Sequence, residues 1–339
     1  MEPADRFFAD VVAQGSHGRI SVYAQQGDQI LLERIYGSEE SPSGDSTIMT
    51  PLGCVARPIL SAAALRLCSE AGIPLTTPVA EVIPEFGGQG REAIQIRHVL
   101  THETGYRDSP PLPTGTTNSD WWDEFRQICL QPVPTPPGTV AHYQEARFWF
   151  LLGGIVSRLA GRAVPDVMGH EYFRRTGEVL GRRPPSGREN NGQKGWRGGI
   201  DTYASARGLA RFLRSLSVEP QATATKEMGR RHRAGKRDEY YRCVRDWGLG
   251  VMVESRQWGS VSTVFSRLAS INTFGHTSRS PVIAMYDPEA DLTVAVVGDR
   301  EIDEMQNIFI MRSACTSIYR SLPDPPVATA RERPRKVRR

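Results

Sequence analysis

The chain has 339 residues, of which 39% are hydrophobic and 24% charged, with a formal net charge of +4. That is an ordinary globular composition, long enough for one large domain or two lobes around a core. The excess charge sits mainly in "RRHRAGKR" (230–237) and "RERPRKVRR" (331–339); without interleaved aromatics or a DNA- or RNA-binding motif, these runs read as solvated surface and a disordered tail, not as a nucleic-acid site.

The opening "MEPADRFFADVV" mixes charges with apolar residues. Neither a secretory signal nor a bilayer-spanning run is found, so a cytosolic protein with no membrane partner is expected. "GRISVYAQQGDQILLERIYG" (18–37) reads as two strands around a polar turn, a hairpin at one edge of a sheet, and 38–46 as loop. From Pro58 to Ala71 apolar residues recur at helical spacing and Gly72 ends the run. A proline- and glycine-rich middle follows, read as long loops around short helices; "FWFLLGGIVSRLAG" (148–161) and "YASARGLARFLRSL" (203–216) are helices. The end returns to strands in "WGLGVMVE" (247–254), "PVIAMYDP" (281–288) and "LTVAVVGD" (292–299), and a helix from about Ile302 to Arg320 closes the chain.

The pattern is strands first, helices in the middle, strands and a helix last. Terminal strands of this kind pair into one antiparallel sheet flanked by helices, an α/β (α+β) arrangement. A sheet lobe covers about 18–46 and 245–320, and a helical lobe of about 50–240 is inserted in it. Residues 1–320 form a single domain on this reading, with 321–339 as tail. A site is expected in the cleft between lobes.

Five cysteines (Cys54, Cys68, Cys129, Cys243 and Cys315) are odd in number, far apart and without a C-x-x-C pair, which argues against a zinc site or a disulfide framework. No metal or other cofactor is expected. His98 and His102 have the i, i+4 spacing of a zinc pair, but no third ligand is evident and a structural role is preferred. Cys54 and Arg57 stand where a helix begins, so i and i+3 share a side. A thiol at a helix N-terminus beside a fixed cation ionises readily, whereas an isolated cysteine is commonly a small apolar filler; both readings stand on the residues alone.

"CVARPILSAAALRLCSEAGIPLTTPVAEVIPEF" and "IQIRHVLTHETGY" resemble the serine β-lactamase and penicillin-binding-protein-like family, in the group with class C enzymes, D-Ala-D-Ala peptidases and family VIII esterases. "PGTVAHYQEARFWFLLGGIVSRLAG" is similar to the segment carrying the family's Y-x-N motif. "GGIDTYASARGLARFL" matches its glycine-glycine approach to a helix, and "FGHTSRSPVIAMYDPEADLTVAVVGDR" its H/K-T-G strand and partner. The resemblance runs from about residue 18 to 320 and implies the β-lactamase-like fold. It places Cys54 at the nucleophilic serine, Arg57 at the lysine, Tyr143 at the conserved tyrosine and Glu145 at the asparagine. His276 and Thr277 fall on the third motif, with Ser278 replacing its glycine.

The resemblance further implies an oxyanion hole from the backbone N–H groups of Cys54 and Arg279. Arginine cannot act as a base, since guanidinium stays protonated; a cysteine held as thiolate hardly needs one. The pair Cys54 and Arg57 is therefore chemically coherent. His276 is expected to titrate near neutral pH and, with Tyr143, to shuttle the proton. Glu145, Thr277, Ser278 and Arg279 are expected to bind substrate. The expected activity is acyl transfer from a small-molecule donor to a small-molecule acceptor. An esterase or amidase, an isomerase or cyclase, and an inactive binding protein remain as alternatives. The missing lysine argues against β-lactam hydrolysis.

Overall fold

The computed structural model describes residues 2–15, 18–37, 48–107, 121–181, 198–218, 224–300 and 302–324. In chain order, α1 (Glu2–Ala13) precedes the strands β1 (Arg19–Gln26), β2 (Gln29–Gly37) and β3 (Thr50–Pro51). The middle holds α2 (Arg57–Glu70), α3 (Val79–Val82), α4 (Ile96–Leu100), α5 (Trp121–Cys129), α6 (Ala146–Ala160), α7 (Val164–Thr176), β4 (Tyr203–Ala204) and α8 (Ala206–Val218). Four short strands follow: β5 (Arg237–Asp238), β6 (Cys243–Val244), β7 (Asp246–Trp247) and β8 (Met252–Val253). The chain finishes with β9 (Phe274–Thr277), β10 (Val282–Asp287), β11 (Leu292–Gly298) and α9 (Glu304–Arg320).

The two-residue alternation of β10 and β11 explains the architecture. Ile283, Met285, Val294 and Val296 join one core with Phe8, Met311 and Cys315, while Val282, Ala284, Ala295 and Val297 join the other. Both faces are thus covered, by α1 and α9 on one side and α8 on the other. That is why these strands are buried along their whole length and read as continuous apolar runs. The antiparallel sheet has the order β2-β1-β11-β10-β9-β8-β7, so the first hairpin closes on the last strands, with Val22 opposite Val296. Helix α9 starts at a capped end, where the Asp303 carboxylate accepts the N–H groups of Met305 (3.0 Å) and Gln306 (3.1 Å).

Helix α2 is buried from Arg57 to Leu65 and packs against α6 and α7. Its small residues Ala62, Ala63 and Ala64, facing a helix that carries Gly153 and Gly154, leave room for close approach. The described elements thus match the expected β-lactamase-like arrangement of an antiparallel sheet with flanking helices. Among the described residues, no helix is long and apolar enough to cross a membrane.

Three local expectations are corrected. The stretch 247–254 is not one strand: β7 and β8 are separated by a turn in which the Gly248 N–H meets the Val251 carbonyl at 2.9 Å. Tyr203 and Ala204 pair with β3 as a short strand, so the helix expected from 203 begins at Ala206. The opening segment, read only for a leader, is an amphipathic helix burying Ala4, Phe8 and Val11. The loop at 38–46, the stretch 108–120 and the basic tail from 331 lie outside the described residues.

The third correction is the basic run at 230–237, which is not simply solvated. Arg233 is fully buried and paired at 2.8 Å with the equally buried Asp238. Arg231 pairs with buried Asp246 (3.0 Å), and Lys236 reaches Glu103 (2.5 Å). The sequence pattern could not separate a solvated run from one whose charges meet carboxylates distant in sequence. Removing one partner of a buried pair strands the other charge, which typically costs about 3–5 kcal/mol. Asp238→Ala should therefore lower the urea unfolding midpoint sharply, and Arg233→Met in the same chain should restore part of the loss.

Candidate active site

Cys54 does not stand in the first turn of α2. Gly53–Ala56 form a 3-10 turn that precedes the helix, and Arg57 is its first residue. Two glycines make this turn possible. Gly53 has φ +52°, and a Cβ there would lie 2.3 Å from the Ser278 hydroxyl. Gly199 presses on the same turn: a Cβ would lie 1.7 Å from the Gly53 carbonyl oxygen. Of the glycine pair at 198–199, Gly199 therefore serves the backbone of the Cys54 turn, and Gly198 makes room for the Trp149 ring.

The turn brings Cys54 to Tyr143, which favours ionisation of its thiol. Cys54 remains partly exposed, whereas Arg57 is completely buried. The Arg57 guanidinium lies 4.2 Å from the centre of the Tyr143 ring and 5.0 Å from that of Phe148. Its Nη2 donates to the carbonyls of Gln144 (3.3 Å) and Glu145 (3.2 Å), but Nε and Nη1 have no hydrogen-bond partner. Glu145, at the N-terminal cap of α6, acts electrostatically on Cys54, Arg57 and Tyr143. These four residues form one coupled group.

Burial decides the charge state of Cys54. It pushes the Cys54 thiol up, as does Glu145; Arg57, the Tyr143 hydrogen bond and Arg279 pull it down without reversing the direction. The expected ready-made thiolate is corrected: the sulfur rests protonated, because desolvating an anion outweighs one buried cation nearby. Tyr143 is likewise held well above the usual phenol range, by burial first, with Arg57 opposing. Burial also works against the charge on Arg57, but Tyr143, Cys54 and Glu145 outweigh it and keep the guanidinium charged.

His276 is the second correction. It is fully buried on β9, its ring centre 6.4 Å from that of Tyr143, and burial together with Arg57 pushes it down to about 3. It is therefore neutral at physiological pH. Its Nδ1 donates to the Thr277 carbonyl at 2.7 Å, which leaves Nε2 as a bare acceptor without a partner. Thr277 is half-buried and contributes that carbonyl. Arg279 is exposed, and its Nη2 donates to the Tyr240 hydroxyl at 2.5 Å.

The third correction concerns the oxyanion hole. The Cys54 N–H donates to the Ser278 hydroxyl oxygen at 3.2 Å, so one of the two expected donors is already engaged by a side chain where the family has glycine.

Sequence reasoning missed several residues that shape the site. Tyr240 and Tyr241 pack on Tyr143 with ring centres 5.2 and 5.1 Å away. Asp238 accepts the N–H groups of Tyr143 (3.2 Å), Tyr240 (3.0 Å) and Tyr241 (3.3 Å). Trp247 and His102 complete the aromatic wall, and His102 Nδ1 accepts the Gln144 N–H at 3.1 Å. The one available signal was the adjacent tyrosines in "DEYYR". His98 is likewise used structurally, accepting the Gln95 N–H at 3.2 Å.

Cys68, Cys129 and Cys315 are buried, with thiols pushed up by desolvation, in keeping with core filling. Among the described residues, no group of three or more His, Cys, Asp or Glu side chains is placed to hold a metal ion. A groove of about 940 Å³ lined by Tyr23, Glu33, Glu178 and Arg207, among others, contains none of the site residues. Its size does not make it the active site, since the coupled titratable groups lie around Cys54.

An antiparallel sheet flanked by helices on both faces is the framework of β-lactamase-like proteins. The Beta-lactamase family model matches residues 4–307, and the chain belongs to that family. The family includes esterases and hydrolases with acyltransferase activity, enzymes that act on ester and amide bonds.

Among solved structures, the chain is similar to a penicillin-binding protein homologue from Caulobacter crescentus (19% identity, 93% of this chain and 97% of that one, TM-score 0.70). It is also similar to EstCE1, described as a hydrolase with promiscuous acyltransferase activity (16% identity, 94% and 98%, TM-score 0.75). A third is a family VIII carboxylesterase (15% identity, 93% and 97%, TM-score 0.74). At these identities the likeness is one of fold. Comparison with curated proteins gives no match.

Two measurements follow from the charge states. Iodoacetamide labelling of Cys54, read by peptide mass, should be slow at pH 6–7 and still rising with pH beyond the ordinary thiol range of about 8.5; a plateau below pH 8 would contradict a protonated sulfur.

The second is acid lability. An unfolded histidine binds its proton near pH 6.5, whereas folded His276 does so only at about 3. Between these values the unfolded state holds more protons, so stability falls as pH drops through that window. Buried His102, also pushed well below its ordinary value, acts in the same direction. The urea midpoint should decline from pH 7 to 4.5, and less steeply in His276→Gln.

Proposed function

We propose that the protein is an acyl-transfer enzyme that carries the acyl group on Cys54 as a thioester and passes it to an amine or alcohol acceptor, in the manner of a biosynthetic transacylase. The observation that carries this reading is the grouping of a partly exposed Cys54 with Tyr143 and the buried Arg57, whose guanidinium lies over the tyrosine ring. EstCE1, similar in fold, is described as a hydrolase with acyltransferase activity, which supports the reaction class.

Because the sulfur rests protonated and His276 is neutral with so little basicity, proton movement falls to Tyr143. As Cys54 Sγ attacks the donor carbonyl, its proton passes to Tyr143 Oη while the tyrosine's own proton goes to the departing alcohol, thiol or amine. In the second half the acceptor attacks the thioester. Its proton passes to Tyr143 Oη, and the tyrosine returns one to the leaving sulfur. Negative charge that develops on sulfur or on the phenol is stabilised by Arg57, whose guanidinium faces the ring. A thioester favours amine attack over water more than an oxygen ester does, which tips the reading from hydrolysis to transfer.

A second reading, binding or isomerisation without an acyl-enzyme, draws on the occupied Cys54 N–H. Incubation with p-nitrophenyl acetate and a primary amine, followed by intact mass and product analysis, separates these. Transfer predicts an acetyl adduct on Cys54 and an amide product. Hydrolysis gives the adduct and free acid only, and a binding protein gives no adduct. Cys54→Ala should abolish the adduct, and Tyr143→Phe should slow acylation by roughly 10²–10⁴-fold, the usual worth of a positioned proton donor.

A further inference from the structure

Ser278 ends the strand that faces the nucleophile and is almost completely buried. Its hydroxyl oxygen accepts two backbone N–H groups, from Cys54 at 3.2 Å and from Ser280 at 3.3 Å. Those bonds engage both of the oxygen's lone pairs. The hydroxyl is also wedged in place, since a Cβ on Gly53 would stand only 2.3 Å from it. Behind the turn, buried Asn307 on α9 donates through Nδ2 to the carbonyls of Ser278 (3.2 Å), Arg279 (3.0 Å) and Ser280 (3.1 Å). The backbone that carries the serine is thus tied to a helix on the sheet's other side.

We propose that Ser278 is a specificity-determining residue that keeps the oxyanion donor of Cys54 occupied at rest, so that acylation is slow for a small ester and fast only for donors whose own binding displaces its hydroxyl. The inference rests on Cys54 as the acyl carrier. In the acylation step the Sγ–C bond forms and the carbonyl π pair moves onto oxygen, which needs the Cys54 N–H. That N–H must first exchange the serine oxygen for the substrate's. Ser278 keeps its proton throughout, and on collapse the pair returns as the bond to the leaving group breaks. A small ester held by nothing but its carbonyl has little binding energy to spend on this exchange. A donor anchored elsewhere in the site, on the Tyr240 and Tyr241 rings for example, can supply it.

The test is a gain of rate, which damage to the fold cannot imitate. Single-turnover acylation of Cys54 by p-nitrophenyl acetate is followed by p-nitrophenolate release and intact mass in the wild type, Ser278→Gly, Ser278→Ala and Ser278→Thr. The glycine and alanine variants should acylate at least about tenfold faster, within the roughly 10²–10³-fold worth of one oxyanion donor. The threonine variant, which keeps the hydroxyl, should show no gain. Iodoacetamide alkylation of Cys54 builds no oxyanion and should run at the wild-type rate in Ser278→Gly. Acylation of the wild type with no gain in the glycine and alanine variants would overturn the role of Ser278 alone. A parallel rise in alkylation would do the same, since it would mean wider access. Failure of every variant to take an acyl group on Cys54 would overturn the acyl-carrier reading itself, and this inference with it.

Discussion

The buried ion pair between Arg233 and Asp238 holds the site together. Arg233 donates to the carbonyls of Thr101 (2.8 Å), His102 (3.4 Å) and Arg245 (3.0 Å), and Asp238 accepts the N–H groups of Tyr143, Tyr240 and Tyr241. One pair therefore joins the turn after α4, the loop that presents the central tyrosine, the tyrosine pair and the approach to β7. A buried pair of this kind contributes little net stability over an apolar replacement, because desolvation offsets the attraction. What it provides here is position: three tyrosines around Cys54 hang from a single carboxylate.

Around the sulfur, two electrostatic effects oppose each other and burial prevails. Arg57 favours an anion on Cys54 and on Tyr143, yet neither group ionises at rest, because the cation is not enough to offset the loss of water around them. The same burial, with the same cation, strips His276 of its proton. The charged Arg57 therefore stands beside a thiol, a phenol and an imidazole that are all neutral, with Glu145 and Arg279 also acting on the sulfur. In the proposed reaction, such a site moves protons in concert with bond formation and does not store a charged nucleophile.

Much of the architecture is legible in the sequence because it depends on local periodicity and on motif order. The hairpin at 18–37, the apolar strands near the end and the helix after Arg57 carry their own patterns. The residues around Cys54 are legible through the order of the motifs, and the structure brings Cys54, Arg57, Tyr143 and Glu145 together. The direction of each charge shift is not legible, because it depends on burial that only the packed chain defines. Asp238 is hidden for a related reason: its partners include Tyr143, 95 positions away. The serine at 278 is visible as a departure from glycine, but its contact with the amide of Cys54 depends on the φ of Gly53 and on the clamp from Asn307. The division of 247–254 into two short strands was also hidden, since its apolar residues suit a continuous strand equally well.

A sulfur that keeps its proton until a substrate arrives has a consequence beyond the reaction itself. Peroxide and other oxidants attack thiolates, so susceptibility follows the anionic fraction and exposure. Cys54 offers some exposure and little anion, while Cys68, Cys129 and Cys315 lie sealed in the cores. The packing that delays ionisation thereby shields Cys54 from oxidative damage, at the expense of a slower first encounter with any electrophile that the site does not hold in place.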